Sequence, residues 1–571
     1  MLTNAVAAGI VAAAYVAALV LHLNPALRLD DPGAWLLLAA VLFAYGVHLA
    51  AAFYVAIVVR EVLWTDGVSP GWLSYRVLSW FWGISAAFAV FLVWHNLRAF
   101  ASGLDAETAG RTFRAAVALT TCAALAILCA VISPSNPRAR RWLAWTFGAV
   151  VLASVVVPIG LRGMGLPAEG THRPAADSRS TPIGADGRRA VLIGIDGASL
   201  DVIARAVADG RLPNFGRLLD QGASMHLATL RPTQPGPVWT AIATGKLPWR
   251  NGVRSAATYQ GFLGGRSVDL LPDFCLAHAL VSFGLLRETS QTSAALHASP
   301  VWTLLGYAGL SSTVVRWPMT FPAVPTSGTV VTDEYHRASA FTLALDEPGL
   351  TYPTTLTSEL ARVAPPQAVM SPAEAPEADP GGAPLALDRM YVTIADIVSQ
   401  RTPTEFVTVR LQGLDTVGHY FLRYAMPEEF GDVSDDERAR FGRVMDQYYE
   451  YLDTEIGRFL DRIRPGDLLL VVSPFGLEPL SVPKRLLERA MGNTAMSGTH
   501  ERAPDGFVLA FGSAIRAGRY PRGSVVDLTP TLLYFYGLPL GRDMDGFARA
   551  DIFTPEFSGE RPIAYIPTHE R

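Results

Sequence analysis

Five stretches of this 571-residue chain are apolar for long enough to cross a bilayer, and all of them fall within roughly the first 165 residues. They run at about 4–23, 34–59, 77–97, 115–133 and 142–161, and a helix needs about 20 residues to span the hydrocarbon core. Five such helices separated by short polar loops are hard to pack in water. A cleaved signal peptide would explain the first run alone, but no Lys or Arg precedes it and four more runs follow. Trp64, Trp72, Trp80 and Trp82 fall near span ends, where amphipathic rings favour the interface. His48 is central in the second run, and an interhelical hydrogen bond is expected of it. Residues 1–162 are therefore expected to form an all-α transmembrane domain.

An odd number of spans puts the two ends of this region on opposite sides. Arg60, Arg76, Arg138, Arg140 and Arg141 lie on the N-terminal side, and Arg28, Arg98, Arg111, Arg114 and Arg162 on the other. The tight Arg138/Arg140/Arg141 cluster tips the positive-inside rule toward a cytoplasmic N-terminus. The expected setting is an inner or plasma membrane, with the soluble part extracytoplasmic.

Residues 163–188 are rich in Gly, Pro, Ser and Ala, as in a flexible linker. Beyond them the composition is that of a soluble domain. A net charge of −4, with no Lys/Arg cluster on the soluble part, gives no reason to expect nucleic acid. Three cysteines, with no metal-type spacing, define no disulfide framework. Short apolar runs (V-L-I-G-I ending at Asp196, V-V-R-W-P, F-V-T-V-R-L, D-L-L-L-V-V-S) alternate with helical patterns, the clearest from Asp446 to Ile463. That alternation predicts an α/β domain over 189–557 with a mostly parallel sheet flanked by helices. Residues 364–386 are Pro/Ala-rich and are expected to be a disordered insertion.

In such sheets, reactive groups gather at the carboxyl ends of strands. Asp196 and Asp415 each follow a strand closely. Asp415 and His419 in L-D-T-V-G-H are four apart, so one helical turn presents both on one face. With His500 in S-G-T-H-E-R-A-P-D-G, they offer a carboxylate and two imidazoles, a set that can hold one zinc-type divalent ion with a position open.

These segments, in this order, resemble the alkaline phosphatase superfamily, and most closely its type I phosphodiesterase/nucleotide pyrophosphatase branch. V-L-I-G-I-D-G resembles the opening strand with its metal-binding aspartate. P-T-Q-P-G-P-V-W-T-A-I-A-T-G resembles the nucleophile segment. D-T-V-G-H and G-T-H-E-R-A-P-D-G resemble the metal motifs, and V-V-D-L-T-P-T-L-L-Y-F-Y-G-L-P the closing helix. The resemblance covers roughly residues 189–550. It implies two metal ions and a covalent phospho-enzyme formed on Thr or Ser. Carried over, Asp415, His419 and His500 match the ligands of one metal, and Asp196 matches one ligand of the other.

The departures are specific. The nucleophile position, nine residues before Thr244, is Pro235, and Thr233 is the nearest substitute hydroxyl. Where the family reads S-D-H-G, this chain has Ser473-Pro474-Phe475-Gly476, and neither Pro nor Phe can ligate a metal. All three losses fall on the second metal site. Three readings follow. One is a phosphoester or phosphodiester hydrolase with a reduced one-metal site. Another is an inactive pseudoenzyme that binds a metal, a phosphorylated ligand or a protein partner. The last is an envelope phospho-group transferase acting on a lipid-linked substrate at the membrane, which Pro235 disfavours because transfer passes through the covalent intermediate.

Overall fold

The computed structural model describes residues 1–63, 74–132, 136–165, 187–337, 348–360, 363, 382–490 and 492–570. The expected linker at 163–188 falls largely outside them, as do Trp64, Trp72 and the 364–381 part of the expected insertion. Residues 382–386 open the helix Gly382–Arg401.

Two units make up the chain. The first takes the described residues of 1–170 together with Arg254–Ser290. Its five helices are α1 (Leu2–Leu23), α2 (Pro32–Leu63), α3 (Tyr75–Ala99), α4 (Ala106–Val131) and α5 (Pro137–Arg162), all long and apolar enough to cross a membrane. Local chemistry carries several of them past their apolar runs. The Asp105 side chain accepts from the Glu107 and Thr108 amides and starts α4 nine residues before the hydrophobic stretch. Asn136 caps α5 in the same way, with Pro137 in its first turn. Arg162 is buried at the end of α5 and donates to carbonyls at the end of α1, among them Leu21 and Asn24. That satisfies groups a helix terminus leaves open. Among the described residues His48 makes no interhelical hydrogen bond: its Nδ1 meets the Ala44 carbonyl of its own helix at 2.6 Å, and its ring stacks on Phe283.

The second unit is an α/β domain. Its main strands are β1 (Ala190–Ile195), β2 (Ala223–Ala228), β3 (Ser312–Val315), β4 (Gly328–Val331), β5 (Thr351–Tyr352), β6 (Phe406–Leu411), β7 (Leu468–Phe475) and β8 (Asp505–Phe511). They lie in the order β2-β8-β7-β1-β6-β3-β4-β5. β7, β1, β6, β3 and β4 run parallel, while β8 and β5 pair antiparallel with their neighbours. The central strands are buried on both faces, which is why they are apolar runs rather than alternating patterns. Ala190 and Leu192 enter one core, and Val191, Ile193 and Ile195 the other. This is the mixed α/β class expected from the sequence.

Candidate metal centre

The carboxyl ends of β1, β6 and β7 meet along one edge of the sheet. After β6 the chain turns through Gln412 into the helix Gly413–Ala425, which carries Asp415 in its first turn and His419 one turn later. A buried anchor fixes this helix start. Asp388 accepts from the Gln412 and Gly413 amides, from Tyr448 Oη at 2.8 Å and from Arg316. Gly413 is required there: a Cβ would lie 1.7 Å from Tyr448 Oη. Gly197, with φ +76°, turns the chain after β1 tightly enough that a Cβ would meet Asp415 Cα at 3.1 Å.

The structure brings Asp415, His419 and His500 together, with one ligand atom from each lying within 4.8 Å of the others. His419 Nε2 is 3.5 Å from Asp415 Oδ2, and the two imidazole centroids are 5.1 Å apart. The second nitrogen of each ring is committed. His419 Nδ1 donates to the Gly498 carbonyl at 2.8 Å, and His500 Nδ1 donates to the Thr233 carbonyl at 3.0 Å. A carbonyl can only accept, so each Nδ1 carries the hydrogen and each neutral ring leaves Nε2 free as a ligand. Asp415 Oδ1 is buried and has no hydrogen-bond partner among the described residues. A buried carboxylate with one unpaired oxygen, grouped with two such imidazoles, suits one divalent cation. The residues present therefore fit one ion.

Burial opposes the Asp415 charge, but His419 and then His500 hold its carboxyl below the ordinary range. Burial likewise opposes a charged His419, and Asp415 outweighs it, raising the imidazole above its usual value.

Asp196 is not brought into this group. It is fully buried, and Arg410 at the end of β6 binds it through Nε (3.1 Å to Oδ2) and Nη2. The Trp239 indole donates to its Oδ1 at 2.6 Å. The register explains the assembly. Gly194 pairs with Arg410 across β1 and β6, and the missing side chain makes room for the Trp239 ring, which a Cβ would meet at 2.6 Å. Burial penalises both charges, but the carboxylate wins for the guanidinium, which is held above its ordinary value. Burial also raises Asp333, whose charge Arg410 partly offsets.

Pro235 opens the helix Pro235–Thr244, in whose first turn a missing N–H costs nothing. Thr233 is buried, and its hydroxyl donates to the Leu230 carbonyl at 2.8 Å. Phe475 is fully buried, its ring 5.0 Å from that of His500. Ser473 Oγ accepts from the Ala198 amide and donates to the Phe475 carbonyl. Sequence reasoning missed Arg410 and Trp239. The signal for the first was an arginine inside the mostly apolar F-V-T-V-R-L, a charge that needs hydrogen-bonding partners once it is buried.

No curated protein matches the chain. Among solved structures, murine ectonucleotide pyrophosphatase/phosphodiesterase 5 matches at 12% identity, covering 64% of this chain and 100% of that chain with a TM-score of 0.37. The human protein gives 12%, the same coverage and 0.36. An inactive variant of the murine protein in complex with AMP gives 11% and 0.37, again at the same coverage. The sequence model of the family described as type I phosphodiesterase / nucleotide pyrophosphatase matches residues 190–506, more than half of the chain. This chain belongs to the type I phosphodiesterase / nucleotide pyrophosphatase family.

Proposed function

We propose that this protein is a membrane-anchored, metal-dependent phosphoester or phosphodiester hydrolase with a one-metal site at Asp415, His419 and His500. The observation that carries the reading is the buried Asp415 carboxylate, its Oδ2 3.5 Å from His419 Nε2 and its Oδ1 unpartnered among the described residues, grouped with two imidazoles whose other nitrogens are locked on carbonyls. A divalent ion held there by Asp415, His419 and His500, zinc by that donor set, would supply a Lewis acid for a phosphoryl oxygen. The Gly498 and Thr233 carbonyls hold the imidazoles in the ligating tautomer.

A second ion does not fit. Asp196 is spent on Arg410 and Trp239, and Pro474 and Phe475 bring no donor. The Arg410 guanidinium supplies there the positive charge that a metal would otherwise bring to Asp196. Pro235 offers no hydroxyl and that of Thr233 is directed at Leu230, so a covalent phospho-enzyme is not the route and the attacking oxygen comes from water. The substrate is a phosphorylated small molecule or a phosphorylated lipid or envelope component. The domain acts on the extracytoplasmic side of an inner or plasma membrane, as the Arg138/Arg140/Arg141 cluster favours.

The test is hydrolysis of bis(p-nitrophenyl) phosphate by the full-length protein loaded with zinc. Turnover that is abolished in His500→Ala supports the reading. Full metal occupancy without turnover supports instead the pseudoenzyme reading, which the inward-turned Thr233 hydroxyl favours. Two tightly bound ions per chain would overturn the one-metal site.

A further inference from the structure

The segment Arg254–Ser290 belongs to the helical unit, although it lies within the stretch matched by the family. It forms a small antiparallel sheet of Ala257–Gly261, Ser267–Val268 and Leu286–Ser290. Ala257 and Tyr259 enter a core shared with α1 and α2. Gly261 sits so close to α2 that a Cβ would meet the Ala40 Cβ at 2.9 Å.

Polar clamps hold the segment to helix ends that lie on one side of the unit. Asn24, after α1, accepts from the Asp269 and Leu270 amides and donates to the Leu270 carbonyl. Arg266 pairs with Asp31 before α2. Asn96 and His95 of α3 both bind Asp273.

α2 is too long for a simple span. Its 32 residues reach about 48 Å at 1.5 Å per residue, against a hydrocarbon core of ~30 Å. Six of its seven buried residues (Ala34, Leu37, Leu38, Ala40, Val41 and Ala44) lie in its first 13 positions, and only Ile57 lies beyond them. The segment packs on this N-terminal part.

Its outer rim is apolar. Phe262, Leu263, Phe274, Leu276 and Phe283 are 45–69% exposed. Three of these pack on outward residues of the spans, with ring centroids 6.1 Å apart for Phe262 and Phe43, 5.8 Å for Phe274 and Phe91 and 6.4 Å for Phe283 and His48. Phe43 and Phe91 are themselves exposed on helices of membrane-spanning length. The rim therefore continues the surface those helices turn to lipid. Surrounded by water it would be an apolar patch of a kind soluble surfaces avoid.

We propose that Arg254–Ser290 is a membrane-immersed element whose apolar rim lies in the acyl–headgroup boundary of the leaflet at the α1 C-terminus and α2 N-terminus. The occupant of this surface is lipid. Polar groups of the segment clamp to helix ends while its aromatic and leucine side chains face the acyl chains, the division of labour of an interfacial element. The α/β domain is thereby joined to a membrane-embedded structure at residues 253/254 and 290/291, in addition to the connection near residue 170.

The test uses the full chain in phosphatidylcholine/phosphatidylglycerol vesicles. With Cys122, Cys129 and Cys275 replaced by Ser, single cysteines at Phe262, Leu276 and Phe283 and a control at Glu556 carry nitroxide labels. The three rim labels should collide with oxygen several-fold more than with a water-soluble nickel chelate, and the control should show the opposite ratio. Rim labels with the control's ratio would overturn the proposal, and so would labels protected from both quenchers, which would mean a protein cover. Wild-type protein in vesicles containing a diazirine-bearing phosphatidylcholine gives a variant-free check. Adducts on peptides covering 262–283 as well as on α2 support immersion. Adducts on α2 with none on 262–283 refute it.

Discussion

Arg410 binds both oxygens of Asp196 through its Nε, and the two side chains are 5% and 0% exposed. A buried pair of this kind adds little by its presence, because desolvation of two charges offsets their attraction. Breaking it is another matter. Arg410→Met leaves a carboxylate buried with, among the described residues, only the Trp239 indole for a partner, and unfolding free energy should fall by about 3–5 kcal/mol. The double variant Asp196→Asn/Arg410→Met should recover most of that loss. Thermal and denaturant unfolding of the three proteins in the same lipid nanodiscs measures the cycle, and a double variant no better than Arg410→Met would contradict the pairing.

The ligand set predicts metal stoichiometry. Wild-type protein dialysed against zinc should retain about one ion per chain. His500→Ala and Asp415→Asn should each weaken binding by more than ~100-fold, the upper end of what loss of a supporting hydrogen bond alone costs. Competition with a zinc indicator reads the affinity. Unchanged binding in both variants would place the ion elsewhere.

Acid should strip the ion through His419. Its imidazole is held above the ordinary value of 6.5, so without metal it keeps its proton to a higher pH than a free histidine. A ligating Nε2 must be unprotonated, so metal and proton compete. Affinity should therefore fall as pH drops through 6.5, with the decline beginning above that value. Asp415 adds no competing proton in this range, since its carboxyl is held below the usual one. Zinc affinity that stays flat between pH 8 and pH 6 would rule out the imidazoles as ligands.

Gly413→Ala tests the helix start that positions Asp415. The new methyl would lie 1.7 Å from Tyr448 Oη, and that oxygen is pinned to Asp388 at 2.8 Å. Overpacking of this kind costs about 1–3 kcal/mol. Because Asp415 is two residues on, zinc affinity should fall along with the melting temperature. The double variant Gly413→Ala/Tyr448→Phe should regain part of both.

Restoring a hydroxyl at the family's nucleophile position should not restore covalent chemistry. Pro235→Thr leaves Arg410 on Asp196 and leaves Pro474 and Phe475 without donor atoms. Intact-mass spectrometry after incubation with a phosphate ester should find no phosphoryl adduct on the variant. A stoichiometric adduct would show that the site needs less than its geometry implies.

Periodicity and strand-end chemistry were enough to read the sheet. F-V-T-V-R-L is β6 residue for residue, and the Asp415/His419 spacing falls on one helix as the four-residue interval requires. Helix ends were less legible, since caps such as Asp105 extend α4 through residues that are not apolar. The fate of Asp196 was not readable at all. Its partner is 214 positions away, and the contact exists only because Gly194 and Arg410 share a register across two parallel strands. The placement of 254–290 was hidden for a similar reason. Its strands are short and mixed in polarity, and nothing in their own pattern points to Asn24 or Asn96 as partners.

Three crossings between the two units bear on how the molecule can be divided. A fragment beginning after residue 188 would keep Tyr259, Leu271 and Leu280 but lose the helices they pack against. The severed piece would expose greasy side chains meant for helix and bilayer, and would clump in aqueous buffer. Anchor and hydrolase-like domain are thus interleaved in the chain rather than strung end to end, and detergent or lipid is a condition for handling either.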